Sequence, residues 1–574
     1  MAALNGSGAA SWETNRALRP RKIASGPFRP EWESLKQYRA PEWFREAKFG
    51  VWAHWSAQCF PEQGDWYARN MYIQGHPHYE FQVNNYGHPS KFGFMQIDHL
   101  WKAERWEPEK LMDLYVKAGA RYFFTLANHV DNFDCYDSRH NPWNSTRIGP
   151  RKDIVGTWAK LARERGLRLG VSNHSAHAWH WLQTAYGYDP EGPMAGIRYD
   201  AYTLQKSDGR NLWWDGMDPQ ELYGGRNMVM PTGIRTIKEA NQWHQHNDLV
   251  WNEAPPENNQ EYIDRWFLRC QDLIDGYNPD LVYFDDTELP LGQAGLDITA
   301  HYYNQNIARH EGNLEGVVTA KNFTPQHLGA AVVDIERGRA NEILPAPWQT
   351  DTCIGDWHYS RPLFERHGYK CVSKIVQTLV DVASKNGNLL LNIPVRGDGT
   401  IDEDEHRFLA DLSSWMNTNS EAIYGTRPFA VFGEGPPEVA DSSMFNESQA
   451  RPYDERDIRF TQKGETLYAF AMVWPRDGKV RMASLGTKST LRKRPIRQVE
   501  LLGSAGTLTF EQGEEQLTVT LPPAPPHDLG AYAMPWCDGT LVTTRGVPKP
   551  SCQRALTPGA EIFSAARKID LSHA

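Results

Sequence analysis

From Lys48 to Ile393 short apolar runs alternate with longer stretches of helical periodicity, the pattern left by parallel strands joined through crossover helices. Seven runs read as strands: Lys48–Trp55, Arg121–Asn128, Leu167–His174, Asp280–Asp286, Glu315–Asn322, Ala331–Glu336 and Leu389–Ile393. Helices are predicted at Pro108–Gly119, Ile154–Gly166, Asn259–Gly276 and Tyr369–Asn386, several stopping at Gly or Asn, residues that cap a helix in left-handed backbone. The predicted fold class is therefore α/β, a (β/α)8-like, TIM-type barrel over residues 41–423 behind a polar lead-in, 1–40. An open doubly wound sheet would alternate similarly, but neither G-x-G-x-x-G nor a Walker loop follows the first strand.

Beyond Tyr424 the runs shorten and turn residues separate them: Asp457–Thr461, Thr466–Val473, Lys479–Ala483, Ile496–Leu502, Thr507–Phe510 and Gln516–Leu521. That spacing predicts an antiparallel β-sandwich over 424–535, with 536–574 as a C-terminal arm or tail. The Trp- and Gly-rich stretch Gln183–Pro256 is too long for one βα loop. It reads equally as a wall of an active site and as a peripheral insertion that packs its aromatics on the barrel.

Functional side chains of such barrels gather at the carboxyl ends of the strands, where His54, His129, His174, Asp285, Lys321 and Glu336 stand. The sharpest feature is Pro279-Asp280-Leu-Val-Tyr-Phe-Asp285-Asp286, an apolar strand that delivers two carboxylates to its end. An acid there is costly unless it has a partner or a task. Asp285 reads as a nucleophile or general base; Asp286, beside Thr287, reads as a helix cap or salt-bridge partner. Asp334-Ile-Glu336-Arg337-Gly338 ends another strand, and Glu342 follows. Two carboxyl groups facing each other across a sugar are what glycoside hydrolysis needs. The same acids with the three histidines could instead hold a divalent metal, a reading weakened by the lack of H-E-x-x-H or paired ligand spacings.

Charge and composition narrow the choice. Across 574 residues, 61 Lys+Arg against 71 Asp+Glu give a net charge of −10, which argues against a nucleic-acid partner. With 22 Trp, 24 Tyr and 22 Phe there are rings enough for a core and for a cleft that stacks on sugars. Seven scattered cysteines suggest neither a disulfide framework nor a structural zinc. No apolar run spans a bilayer, so no membrane partner is expected, and the first residues lack the features of a secretory signal. Secreted, periplasmic and cytoplasmic locations all stay compatible with that.

An ordered series of motifs runs through the barrel region: Trp43-Phe44, Lys48-Phe-Gly-Val-Trp-Ala-His54-Trp55, Asp65-Trp66-Tyr67, Ala118-Gly-Ala-Arg-Tyr122, Asn128-His129-Val130-Asp131-Asn-Phe133, Gly149-Pro-Arg-Lys152-Asp153-Ile-Val-Gly156, Trp348-Gln-Thr-Asp-Thr352 with Trp357, Ser384-Lys-Asn-Gly387-Asn388-Leu-Leu-Leu-Asn392-Ile-Pro394, and Glu421-Ala-Ile-Tyr-Gly-Thr-Arg-Pro428. In this series the chain resembles the α-L-fucosidases of glycoside hydrolase family 29. The resemblance implies a retaining exo-glycosidase that removes terminal α-L-fucosyl residues from oligosaccharides or glycans, without metal or organic cofactor. It places the nucleophile at Asp285; the acid/base is Glu336 by position, with Glu342 its rival. Family sugar contacts map onto His54, Trp55, Asp65, Trp66 and His129, and further onto Tyr283, Lys321 and Trp357; His174, at its strand end, joins them. Where family members often carry two consecutive histidines and a Glu, this chain has His129-Val130 and Asp65. A related L-sugar such as α-L-galactose would fit the same scheme, and a catalytically weak carbohydrate-binding protein is the alternative from another class.

Overall fold

A computed structural model describes residues 21–250, 255–491 and 496–537. Eight parallel strands close a barrel in chain order: β1 (Phe49–Ala53), β2 (Tyr122–Asn128), β3 (Arg168–Asn173), β4 (Leu281–Thr287), β5 (Val317–Lys321), β6 (Val332–Asp334), β7 (Trp348–Cys353) and β8 (Gly387–Asn392), with β8 returning to pair with β1. β1, β2, β5 and β8 are buried at every residue, because helices cover one side of the sheet and the barrel interior the other. The four expected helices form at Pro108–Lys117, Ile154–Glu164, Gln260–Tyr277 and Val372–Ser384. Their ends follow local chemistry: Asp153 accepts the Gly156 N–H at 2.8 Å, and Asn278 ends the Gln260–Tyr277 helix at φ 49°. Asn386, at φ 73°, turns the chain into β8, where a Cβ on Gly387 would lie 2.5 Å from the Trp348 ring. No helix among the described residues is long and apolar enough to cross a membrane.

The one barrel strand without a hydrophobic signature is β7, Trp-Gln-Thr-Asp-Thr-Cys, although all six residues are buried. Residues on and next to other barrel strands take up most of its polar groups. Gln349 donates to Asp334 at 2.7 Å, Thr350 to the Ile335 carbonyl at 2.9 Å, and Asp351 accepts the Tyr283 hydroxyl at 2.9 Å. A strand whose buried side chains are polar and bonded leaves no apolar run to read.

The C-terminal strands are β9 (Arg427–Glu434), β10 (Ile458–Lys463), β11 (Thr466–Ala471), β12 (Lys479–Met482), β13 (Gln498–Val499), β14 (Thr509–Gln512), β15 (Leu517–Thr520) and β16 (Tyr532–Cys537). They pair antiparallel into a five-stranded sheet, β13-β16-β11-β10-β9, and a three-stranded sheet, β12-β15-β14, around one apolar layer that includes Phe460, Val480, Val519 and Met534. Two of these strands carry no clear sequence pattern. β9 is an edge strand of intermediate burial that starts Arg-Pro, and β16 contains Pro535. β13 pairs only with Trp536 and Cys537, so Pro535, which has no N–H to donate, falls outside that ladder. β16 runs two residues into the expected tail; the rest of that tail, 538–574, and residues 1–20 of the lead-in lie outside the described residues. Arg459 of β10, buried in the contact with the barrel, donates to Asp381 at 2.5 Å, which also takes Lys385 at 2.7 Å.

The long segment between β3 and the Gln260–Tyr277 helix folds as short helical turns with Tyr186, Tyr199, Trp214 and Tyr223 buried. The Tyr72 and Tyr223 hydroxyls converge on Asp200 at 2.9 and 2.6 Å, and Arg69 pairs with Asp248 at 2.6 Å. No described residue of 183–250 lines the central cavity, so its described part packs on the β1 loop rather than walling the site.

Candidate active site

Side chains two apart on a strand share a face. At the carboxyl ends of β1 and β4 this rule turns Trp52 with His54, and Tyr283 with Asp285, into one cavity of about 440 Å³. Lys321 ends β5, Glu336 follows β6 by two residues and Asp351 comes from β7. Ten residues singled out from sequence line this space: His54, Asp65, Trp66, His129, His174, Tyr283, Asp285, Lys321, Glu336 and Trp357. The volume suits a monosaccharide with part of its aglycone.

Lys321 is the hinge of the charge arrangement. Its ammonium donates both to Asp285 Oδ1 and, at 2.5 Å, to Glu336 Oε2. Asp285 Oδ2 stands 3.1 Å from His174 Nδ1. Burial works to raise the Asp285 carboxyl, but the Lys321 charge, then His174, outweigh it and hold the group well below the usual carboxylate range. For Glu336 burial wins. It pushes the carboxyl up to about 7 against the pull of Lys321, with the Asp351 and Asp285 charges adding to the rise. Two carboxyl groups on one ammonium nitrogen thus differ in protonation near neutral pH.

The imidazoles are held neutral. Burial, then the neighbouring His358, His174 and His129, depress His54 well below its ordinary range, and burial likewise leads the depression of His129 and His174. The Gln58 amide oxygen accepts the Ala68 N–H at 3.3 Å, which turns its NH2 on His129 Nδ1 at 2.8 Å. That network assigns the His129 ring hydrogen to Nε2. Neither ring nitrogen of His54 has a partner among the described residues, although the side chain is buried. One can donate and the other accept, as a sugar hydroxyl requires.

Asp65 lines the cavity while its carboxylate fastens the loop after β7, accepting the N–H groups of His358 at 2.8 Å and Trp357 at 3.2 Å. Trp357 lies against Trp52 and His54, with ring centroids 5.7 and 5.6 Å apart. His54, His129 and His358 have donor atoms within 4.8 Å of one another, the spacing of a metal site. His129 presents an N–H there rather than a lone pair, which suits a hydroxyl better than a cation.

Two expected residues are not in this space. Trp55 is buried between Trp101 and Trp106, both centroids at 5.1 Å, and donates Nε1 to the Arg396 carbonyl at 2.9 Å. It follows His54 directly, so the strand turns it to the opposite face. Glu342 is exposed on the loop after β6, outside the cavity. Asp286 pairs with His177 at 2.8 Å, in keeping with its structural reading. The cavity also takes in Trp52, Trp181, Arg337, Asp351, Met444 and Phe445, which sequence reasoning missed. The two-residue step from His54 would have found Trp52; Met444 and Phe445 carry no signal, because the chain returns them from beyond the barrel.

Residues 17–421 match the α-L-fucosidase family model, and residues 453–537 match the α-L-fucosidase C-terminal domain. The human tissue α-L-fucosidase is 26% identical over 91% of this chain and 92% of its own length. An α-L-fucosidase of Branchiostoma floridae is 23% identical over 88% of this chain and 93% of its own. The Thermotoga maritima α-fucosidase solved in complex with fucose superposes with a TM-score of 0.62 at 24% identity, covering 89% of this chain and 100% of that one, a likeness of fold. With the barrel and the C-terminal domain both matched in order along one polypeptide, the chain belongs to the α-L-fucosidase family, glycoside hydrolase family 29.

Proposed function

We propose that the chain hydrolyses terminal α-L-fucosyl residues of oligosaccharides and glycans with retention of configuration, Asp285 acting as nucleophile and Glu336 as acid, then base. The observation that carries this reading is the Asp285–Lys321–Glu336 bridge. Oxygens bonded to one nitrogen lie within about 5 Å of each other. Retaining pairs stand ~5–5.5 Å apart, whereas inverting pairs leave ~6.5–9.5 Å for a water.

In the first step Glu336 gives its proton to the glycosidic oxygen as the bond to the anomeric carbon breaks, and Asp285 forms an ester at that carbon. Esterification removes the Asp285 charge. Lys321 then faces Glu336 alone, and the Glu336 pKa falls, which makes it the base that takes a proton from water. Water attacks the anomeric carbon, fucose leaves and the Asp285 carboxylate is restored. His54, His129 and His174 hydrogen-bond ring hydroxyls, while Tyr283 and Trp357 shape the walls around the apolar face and methyl group, and Trp66 stands at the opening. In this reading residues 41–423 form the catalytic unit and 424–535 the sandwich that braces it, with a fucosylated glycan as the substrate and partner.

The test is kcat/KM across pH for an α-L-fucosyl disaccharide, whose leaving group needs the Glu336 proton, with 4-nitrophenyl α-L-fucoside and the matching α-L-galactoside compared at a single pH. Asp285 must be ionised and Glu336 protonated for the first step. Since Asp285 titrates well below the usual range and Glu336 near 7, activity should persist into acid and fall about tenfold per pH unit above about 7. The fucoside should be the faster substrate. No release from either sugar, a faster galactoside, or a rise in kcat/KM through pH 7 would contradict the reading.

A further inference from the structure

Seven large apolar side chains stand exposed among the described residues, and only two are aromatic: Trp66, 45% exposed, and Phe445, 50% exposed. Both line the mouth of the cavity. Both also sit in left-handed backbone, at φ 64° and 57°, which none of the other five adopts. Bulky L side chains are strained there, and an exposed ring forgoes the burial that it would gain elsewhere. Two such residues at one opening point to a ligand that covers them.

Phe445 is fastened to the acid. Its N–H donates to the Glu336 carbonyl at 2.8 Å, and the Glu447 N–H to the Arg337 carbonyl at 3.0 Å. The Glu447 carboxylate takes Arg337 at 3.1 Å and Lys370 at 2.6 Å, which ties the segment to the barrel rim. In an eight-stranded barrel in chain order, β6 faces β2 across the mouth. Trp66 and Trp181, from the loops after β1 and β3, flank β2, with their rings edge to face at 5.3 Å. Phe445 and Met444 therefore stand on the acid's side of the opening and the two tryptophans on the other.

The acid of a glycosidase delivers its proton to the oxygen that joins sugar and leaving group, so the leaving group lies beside it. We propose that Met444 and Phe445 form the leaving-group subsite, Phe445 stacking on the apolar C–H face of a pyranose released from the fucosyl residue, with Trp66 and Trp181 closing the far side. This rests on Glu336 as the acid. Phe445 is a specificity-determining residue in it, one that selects glycosyl leaving groups over small ones.

The test compares kcat/KM of the full chain and Phe445→Ala on an α-L-fucosyl disaccharide and on α-L-fucosyl fluoride, whose leaving group is one atom. The expected result is a loss of about tenfold on the disaccharide, less than twofold on the fluoride, and recovery of the disaccharide rate in Phe445→Trp. An equal loss on both substrates, or none on either, overturns the proposal. Glu336→Gln in the same assay keeps the two readings apart, since it should lose far more on the disaccharide than on the fluoride. If it costs nothing on the disaccharide, the acid lies elsewhere and the leaving group is not placed at Phe445.

Discussion

Asp285→Gly is expected to lower kcat on α-L-fucosides by about 10⁴-fold, roughly 5 kcal/mol of transition-state stabilisation. In the proposed mechanism Asp285 supplies the atom that bonds to the anomeric carbon, and among the described residues no other carboxylate shares its place: Asp286 is taken by His177 and Glu336 lies across Lys321. The deletion leaves a carboxylate-sized space beside Lys321 and His174, both of which face Asp285 in the intact chain. Azide fits such a space as a small anion and attacks from the same face, so the rate should recover with azide concentration and the product should be β-L-fucosyl azide. Full activity of the variant, or recovery without a change of product, would remove Asp285 from the reaction.

Glu336→Ala should separate substrates by their leaving groups. A positioned general acid contributes about 10²–10⁴-fold. An oligosaccharide, which departs as a poorly stabilised alkoxide, should lose that factor; 4-nitrophenol, which departs without a proton, should lose much less. The fall in kcat/KM above about pH 7 should vanish with the group that causes it. Azide should now give the α-L-fucosyl azide, because it intercepts the ester that Asp285 still forms. Glu342→Ala, an exposed change outside the cavity, serves as the control and should leave each of these values within error.

How much of this could be read beforehand depended on whether burial left an apolar trace. Asp285 stood out because Leu-Val-Tyr-Phe precedes it, and six further barrel strands announced themselves likewise. β7 did not, since Gln349, Thr350, Asp351 and Thr352 are buried through hydrogen bonds rather than through hydrophobicity. Asp351, which helps to raise Glu336, was hidden with it. The choice between Glu336 and Glu342 rested on position along the chain, and burial separates them: one is bonded to Lys321 inside the barrel, the other is exposed. Trp55 was drawn in by the His54-Trp55 motif, although alternation on a strand turns neighbours apart and sends Trp52 to the cavity instead. Phe445 lies beyond the last barrel helix and reaches the site through long-range bonds of its segment to the loops after β6 and β7, a pairing that no local pattern encodes.

Lys321 gives the proposed mechanism its economy: one buried cation holds the Asp285 carboxyl low, and in that mechanism it would pull Glu336 into its basic form once the ester had formed. The most direct measurement is peptide mapping by mass spectrometry after incubation with 2-deoxy-2-fluoro-α-L-fucosyl fluoride, which forms the ester quickly and releases it slowly. A fluorofucosyl group on Asp285, in the peptide that contains Leu281-Val-Tyr-Phe-Asp285, is the expected result. A label on any other residue, or turnover with no covalent adduct, would contradict a retaining mechanism through Asp285.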